Sequence, residues 1–221
     1  MKWEDVSKKL PIDILLLVVE DSEFLACYHY LDKPFKSYHS DIGYFYLRLS
    51  GDLKVALVKC CSGAAVPGGS LTVVKDAVRA LRPKAVFSVG ACSGLNRQKA
   101  RLGDVVVSSK LTTGGYKTPP SRHFNNLIKH AADGWNPPIA DPNSRKVKVH
   151  SNGEILSSQS DAIHEEIMWK QHPKAVAVEM EGEGQRLKLS AAIASYITGL
   201  WSSSTQWPLV PYFCSWVTRK S

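Results

Sequence analysis

A chain of 221 residues is long enough for one domain of ordinary size with a substantial core, and 44% hydrophobic with 22% charged residues is the balance of a globular protein in water. The longest early apolar run, Ile12 to Val19, is strand length and far short of the roughly 20 residues of a membrane helix, and Glu4 and Asp5 precede it where a signal peptide would be uncharged or basic. The formal charge of +8 is spread along the chain, with Arg97, Lys99 and Arg101 the densest cluster and no aromatic–basic alternation, so it reads as a solvated basic surface and nucleic acid is not an expected partner.

Five cysteines, Cys27, Cys60, Cys61, Cys92 and Cys214, make an odd set with no C-x-x-C spacing. That argues against a disulfide framework and a zinc site, and for reduced thiols in the cytoplasm. His164-Glu165-Glu166 lacks the second histidine of a metalloprotease helix, so no metal is expected.

Ile12 to Val19 is rich in apolar and β-branched residues, interrupted only by Asp13, the pattern of a buried central strand. The acidic turn Glu20-Asp21-Ser22-Glu23 leads into a helix over Phe24 to Leu31. Tyr44 to Leu49 and Lys54 to Cys60 flank Ser50-Gly51-Asp52 and predict a hairpin. The glycine-rich stretch Ser62 to Gly69 precedes Ser70, a good N-cap, and a helix that carries Leu71, Val74, Ala77, Val78 and Leu81 on one face and stops at Arg82-Pro83.

A buried strand over Ala85 to Val89 runs into the loop Gly90-Ala91-Cys92-Ser93-Gly94, and Gly103-Asp104 turns the chain into a strand over Val105 to Ser108. Beyond these, the pattern predicts a helix over Arg122 to Ala132, a Pro-rich loop over Asp133 to Asn143, a short strand over Lys146 to His150, a helix over Ser160 to Gln171 and a strand over Ala175 to Val178. Strands alternating with helices imply an α/β fold, a central mixed, mostly parallel twisted sheet flanked by helices.

In such sheets ligands bind outside the carboxyl ends of strands, where Glu20 to Glu23, Cys60 to Gly69, Gly90 to Gly94 and Glu179 to Glu181 all fall. Each alone is a weak signal. Gly63, Gly68 and Gly69 suit either a phosphate cradle or a plain strand-to-helix turn, and Gly90 to Gly94 lacks the G-x-G-x-x-G spacing of a dinucleotide site.

Taken in order, the pieces resemble a known family. Val86 to Leu95 followed by Leu102-Gly103-Asp104-Val105-Val106-Val107-Ser108, and Ala175 to Gly182 with its AVEME run, are similar to signatures of the purine nucleoside phosphorylase and methylthioadenosine/adenosylhomocysteine nucleosidase superfamily. Leu15 to Glu23 resembles the first strand and acidic turn of the nucleosidase branch, and the likeness spans about Ile12 to Gly184.

The resemblance implies cleavage of the N-glycosidic bond of purine nucleosides by a homo-oligomer with no cofactor beyond inorganic phosphate as an optional co-substrate. Glu23 would activate water, with Glu20 or Asp21 as alternatives should the turn be shifted. Glu181 would bind the ribose hydroxyls and Met180 would pack under the sugar; Glu179 is also a candidate, but it alternates with Glu181 across the strand end, so one would grip a diol while the other faces solvent or a neighbour. Gly90, Ala91 and Ser93 would shape the loop against the sugar or nucleophile. Ile155 or Leu156 would stack on the base.

Two departures weaken a phosphate site and favour hydrolysis. Ser88 stands where the phosphorylases place arginine, and Ala91 where they place a small hydroxyl residue. The largest departure is at the end. The family's aspartate that protonates the departing purine follows a buried strand after the EME helix, yet no acid occurs after Glu183, and Trp201, Trp207 and Trp216 crowd the remainder. The expectation is therefore a domain over 12–189 with its C-terminal part incomplete and a divergent, loosely ordered hydrophobic tail over 190–221. Turnover should be poor or absent unless another acid, Glu154 or Glu183, reaches the base. The alternative reading is a ligand-binding or assembly module that has lost catalysis.

Overall fold

The computed structural model describes residues 1–50, 53–95, 98–101, 103–113, 116–119, 122–134, 147–158, 170–179 and 191–198. In chain order these give α1 (Trp3–Ser7), β1 (Ile14–Val18), α2 (Asp21–Tyr30), β2 (Phe35–His39), β3 (Gly43–Ser50), β4 (Leu53–Lys59), α3 (Ser70–Leu81), β5 (Ala85–Gly94), β6 (Val105–Thr113), β7 (Tyr116–Thr118), α4 (Arg122–Lys129), β8 (Val149–Ser157), β9 (Ala175–Glu179) and β10 (Ala191–Thr198).

The strands form one mixed, ten-stranded sheet flanked by helices. β1 lies between β4 and β5, parallel to both, and β2 and β3 extend the β4 side as antiparallel strands. On the other side the pairings close on themselves. β5 pairs with β10, β10 with β6, β6 with β8, β8 with β9, and β9 returns to β5 at Ser93 and Gly94. β5 is thus shared between an open sheet and a five-stranded ring.

The all-apolar sequence of β1 is explained by burial on both faces. Ile14, Leu16 and Val18 pack with Cys27 of α2, with Leu31 just after it, with Phe87 and Val89 of β5 and with Ile128 of α4, whereas Leu15 and Leu17 pack with Val74, Ala77 and Leu81 of α3 and Val6 of α1. Alternation of side chains across a strand delivers one set to each layer, and the two helical layers leave no solvent face to β1. A smaller core of Cys92, Val106, Leu111, Ile155 and Ala177 belongs to the ring.

Several expectations are corrected. The Gly90 to Gly94 stretch is no loop, because its backbone pairs with β10 along Gly90 to Ser93 and with β9 at Ser93 and Gly94. The strand expected over Lys146 to His150 instead runs from Val149 to Ser157, and Asn152, Gly153 and Glu154 lie within it. Gly153 is what permits that: a Cβ there would stand 2.6 Å from Val106 Cγ1, so only a bare backbone brings β8 this close to β6.

Ser70 is the first helical residue of α3 and Gly69 is its N-cap, without a side-chain cap bond. The helix expected from Phe24 begins at Asp21, because Glu23 bonds back to the Glu20 amide and completes a capping box. α1, β2, β7 and β10 have no counterpart among the predicted elements. The helix expected over 160–171 lies outside the described residues except for 170 and 171. The first part of the expected tail supplies β10, paired parallel to β5 and antiparallel to β6; residues 199–221 lie outside the described ones. Among the described residues no helix is long and apolar enough to cross a membrane.

Candidate functional site

Glu23 is the best-defined group at the strand ends. It sits in the first turn of α2, just after β1, and is 4% exposed. Its Oε2 accepts the Val19 N–H at 3.0 Å and the Glu20 N–H at 2.9 Å, and its Oε1 accepts the Ala91 N–H of β5 at 2.7 Å. Three backbone donors from two elements therefore fix the carboxylate between β1 and β5. Burial pushes its pKa up, the three N–H bonds oppose that, and the nearby Glu20 charge adds to the rise; the net direction is upward.

Gly90 completes this arrangement. A Cβ at position 90 would meet Glu23 Oε1 at 3.1 Å, tighter than ordinary packing, so the glycine keeps the carboxylate at β5. Of the three acids in the turn, Asp21 is exposed and paired with Lys59, and only Glu23 points into the sheet. The sequence left Glu20 and Asp21 as alternatives, and the geometry favours Glu23.

Further along β5, Ser93 is half-buried and faces Val178 of β9 across the ladder. Cys92, one residue earlier, is buried, and burial first and the Glu179 charge second push its thiol pKa well up. Glu179, buried at the end of β9, thus lies electrostatically close to the Cys92 thiol. That neighbourhood was not legible in sequence, since it depends on β9 running antiparallel to β5.

Ile155 and Leu156 are both buried in β8, on opposite faces. Ile155 packs with Cys92, Leu111 and Ala177, and Leu156 with Leu95, Ala175 and Val178, so one of them at most can face a given ligand. Met180 and Glu181 lie outside the described residues.

Three backbone bonds close the stretch from Cys61 to Gly69 on itself and on the start of α3. Cys61 N–H donates to Gly68 O, Gly69 N–H to Val66 O and Leu71 N–H to Ala64 O. Of the three glycines that suit either a phosphate cradle or a plain turn, Gly69 thus has its amide turned inward.

Glu154 is no stand-in acid. It accepts a hydrogen bond from Thr112 Oγ1 at 2.7 Å and faces Lys117 Nζ at 3.3 Å. Burial alone would raise its pKa, but the Thr112 bond and the Lys117 charge outweigh it and the net shift is downward. A carboxylate held ionised gives no proton near neutral pH. Asp104, read in sequence only as a turn residue, is a buried staple: it accepts from the amides of Arg101 and Lys148, each at 2.9 Å, and faces His150 Nε2 at 3.0 Å. Among the described residues, no group of three or more His, Cys, Asp or Glu side chains could hold a metal.

No family model and no characterised protein sequence matches the chain. The likeness is one of structure. The futalosine hydrolase of Helicobacter pylori superposes with a TM-score of 0.68 at 16% identity, over 86% of this chain and 85% of that one. The 5′-methylthioadenosine/S-adenosylhomocysteine nucleosidase of Streptococcus pneumoniae, solved with a transition-state inhibitor, gives 0.67 at 17% identity over 84% and 85%. The corresponding nucleosidase of Campylobacter jejuni gives 0.65 at 15% identity over 93% and 96%. The chain has the fold of these nucleosidases and hydrolases, over nearly the whole of each.

Proposed function

We propose that this chain binds purine nucleosides in the cytoplasm, as a homo-oligomer, and hydrolyses their N-glycosidic bond slowly, with Glu23 as the base. The observation that carries the proposal is the Glu23 carboxylate, buried yet fixed by three backbone N–H groups against Gly90 at the ends of β1 and β5. A fixed carboxylate with a raised pKa suits a general base better than a solvated one, because catalytic strength follows a pKa near the working pH. Fold neighbours named as nucleosidases, one holding a transition-state inhibitor, support a nucleoside as the ligand class. The cytoplasmic placement rests on the odd, unspaced cysteine set.

In this reading Glu23 removes a proton from water as its oxygen bonds to the sugar's anomeric carbon. The bond from that carbon to the base nitrogen breaks, its electron pair leaves with the base, and a proton from solvent neutralises it. A positioned acid at that last step is worth about 10²–10⁴-fold. The sequence offers none after Glu183, and Glu154 is held ionised, so the expected rate lies well below the roughly 1–10³ s⁻¹ of typical enzymes. The same observation favours, as second reading, a nucleoside-binding module without turnover.

Calorimetric titration with adenosine, paired with single-turnover base release by wild type and Glu23→Gln, separates the two. Binding by both proteins with release only by the wild type supports the hydrolase. Binding without release by either leaves the binding module. No binding by the wild type rejects both.

A further inference from the structure

At the carboxyl ends of the ring strands, the ladder register places three polar residues in one row. Thr113 of β6 is paired with Ser157 of β8, and Ser157 with Glu179 of β9. Two residues back in the same strands, Leu111, Ile155 and Ala177 form the row beneath, and all three pack with Cys92 in one buried cluster. Side chains two apart on a strand share a face, so Thr113, Ser157 and Glu179 stand on the side of that apolar floor. The influence of the Glu179 charge on the buried Cys92 thiol independently puts the carboxylate there.

Within the row one group is unsatisfied. Thr113 is 3% exposed, and its Oγ1 is buried with no hydrogen-bond partner among the described residues. A buried hydroxyl left unpaired costs about 1–3 kcal/mol, and such a cost is borne where a ligand completes the bond. A carboxylate accepts through both oxygens and the Thr113 hydroxyl can accept as well, so a ligand edge that donates matches this row.

We propose that Thr113, with Glu179, forms a specificity contact to a hydrogen-bond-donating edge of the purine base, its exocyclic amino group. This rests on the nucleoside reading above. By the resemblance Glu181 would take the sugar diol, which leaves the base amino group as a donor, and Ser157 shares its strand face with Ile155, one of the two candidates for stacking on the base.

Thr113→Val keeps the side-chain shape and removes the hydroxyl, so the test has two readouts. In thermal unfolding without ligand, the variant should melt about 2–4 °C above wild type, the equivalent of one relieved buried group in a chain of this size. In calorimetric titration, its affinity for adenosine should fall roughly three- to tenfold, the range for one hydrogen bond, while its affinity for purine riboside, which lacks the amino group, should stay within about twofold. A lower melting temperature would mean that the hydroxyl is satisfied without ligand, and would overturn the proposal. Unchanged adenosine affinity would overturn it too. Equal loss for both nucleosides would move the contact to the sugar and reject the base assignment. A wild type that binds neither nucleoside rejects the functional reading itself, and this inference with it, whereas the other three outcomes leave that reading standing.

Discussion

At the scale of single residues the account turns on Glu23. Its folded-state pKa is raised, by burial first, and an acid whose pKa rises on folding stabilises the fold only while it is protonated. Its contribution is fully present below the unfolded-state pKa and is lost as pH climbs through the folded one. In urea titrations, wild type should therefore lose stability relative to Glu23→Gln between the ordinary glutamate range and neutral pH; a constant difference would mean the pKa is unshifted. The kinetic counterpart has the opposite sense: base release should increase with pH along an acid limb lying above the ordinary carboxylate range, since the base acts only when ionised. Gly90→Ala tests the geometry. The added methyl would press on Oε1, so base release should fall at least tenfold while global stability changes by about 1–3 kcal/mol, the usual cost of overpacking. Glu23 was legible as a candidate because an acidic turn follows a buried strand. The bonds that distinguish it from Glu20 and Asp21 were not, because they depend on a helix starting three residues earlier and on an amide 68 positions away.

At the scale of elements, the ring is held by contacts that local pattern does not encode. Gly153 lets β8 approach Val106 of β6. Gly153→Ala should cost about 1–3 kcal/mol, and Gly153→Ala combined with Val106→Ala should cost less than the sum of the two single changes, as expected for neighbours that share one space. Additive losses in urea unfolding would show that the two do not meet. Asp104 ties the start of β6 to β8 through two amides and His150. Asp104→Ala leaves those part-buried donors without their acceptor and should cost about 1–3 kcal/mol, read as a lower urea midpoint at unchanged slope. β1 and α3 were readable because a continuous apolar run and a 3.6-residue stripe each have one good burial solution. The glycines at 90 and 94 instead suggested a loop, since glycine ordinarily breaks strands; here pairing with β10 and β9 overrides that local preference.

At the scale of the whole molecule, sequence pattern gave the α/β class, and five of the strand positions, at Leu15, Val55, Val86, Val105 and Val176, are recovered in or at the ends of one sheet. The closure of β5, β10, β6, β8 and β9 into a ring was not legible, since register between distant strands is decided by tertiary packing. Nor was β10, whose sequence lies in a stretch notable for what it lacks. That strand pairs with β5 and β6, and no Asp or Glu occurs in the sequence after Glu183.

The central claim, slow hydrolysis driven by Glu23 without phosphate, is tested most directly by base release from adenosine, inosine and methylthioadenosine with and without inorganic phosphate. The account predicts free base and free sugar at a rate below about 1 s⁻¹, indifferent to phosphate and abolished in Glu23→Ala. Release that requires phosphate and yields a sugar phosphate, or release that persists in Glu23→Ala, would contradict it.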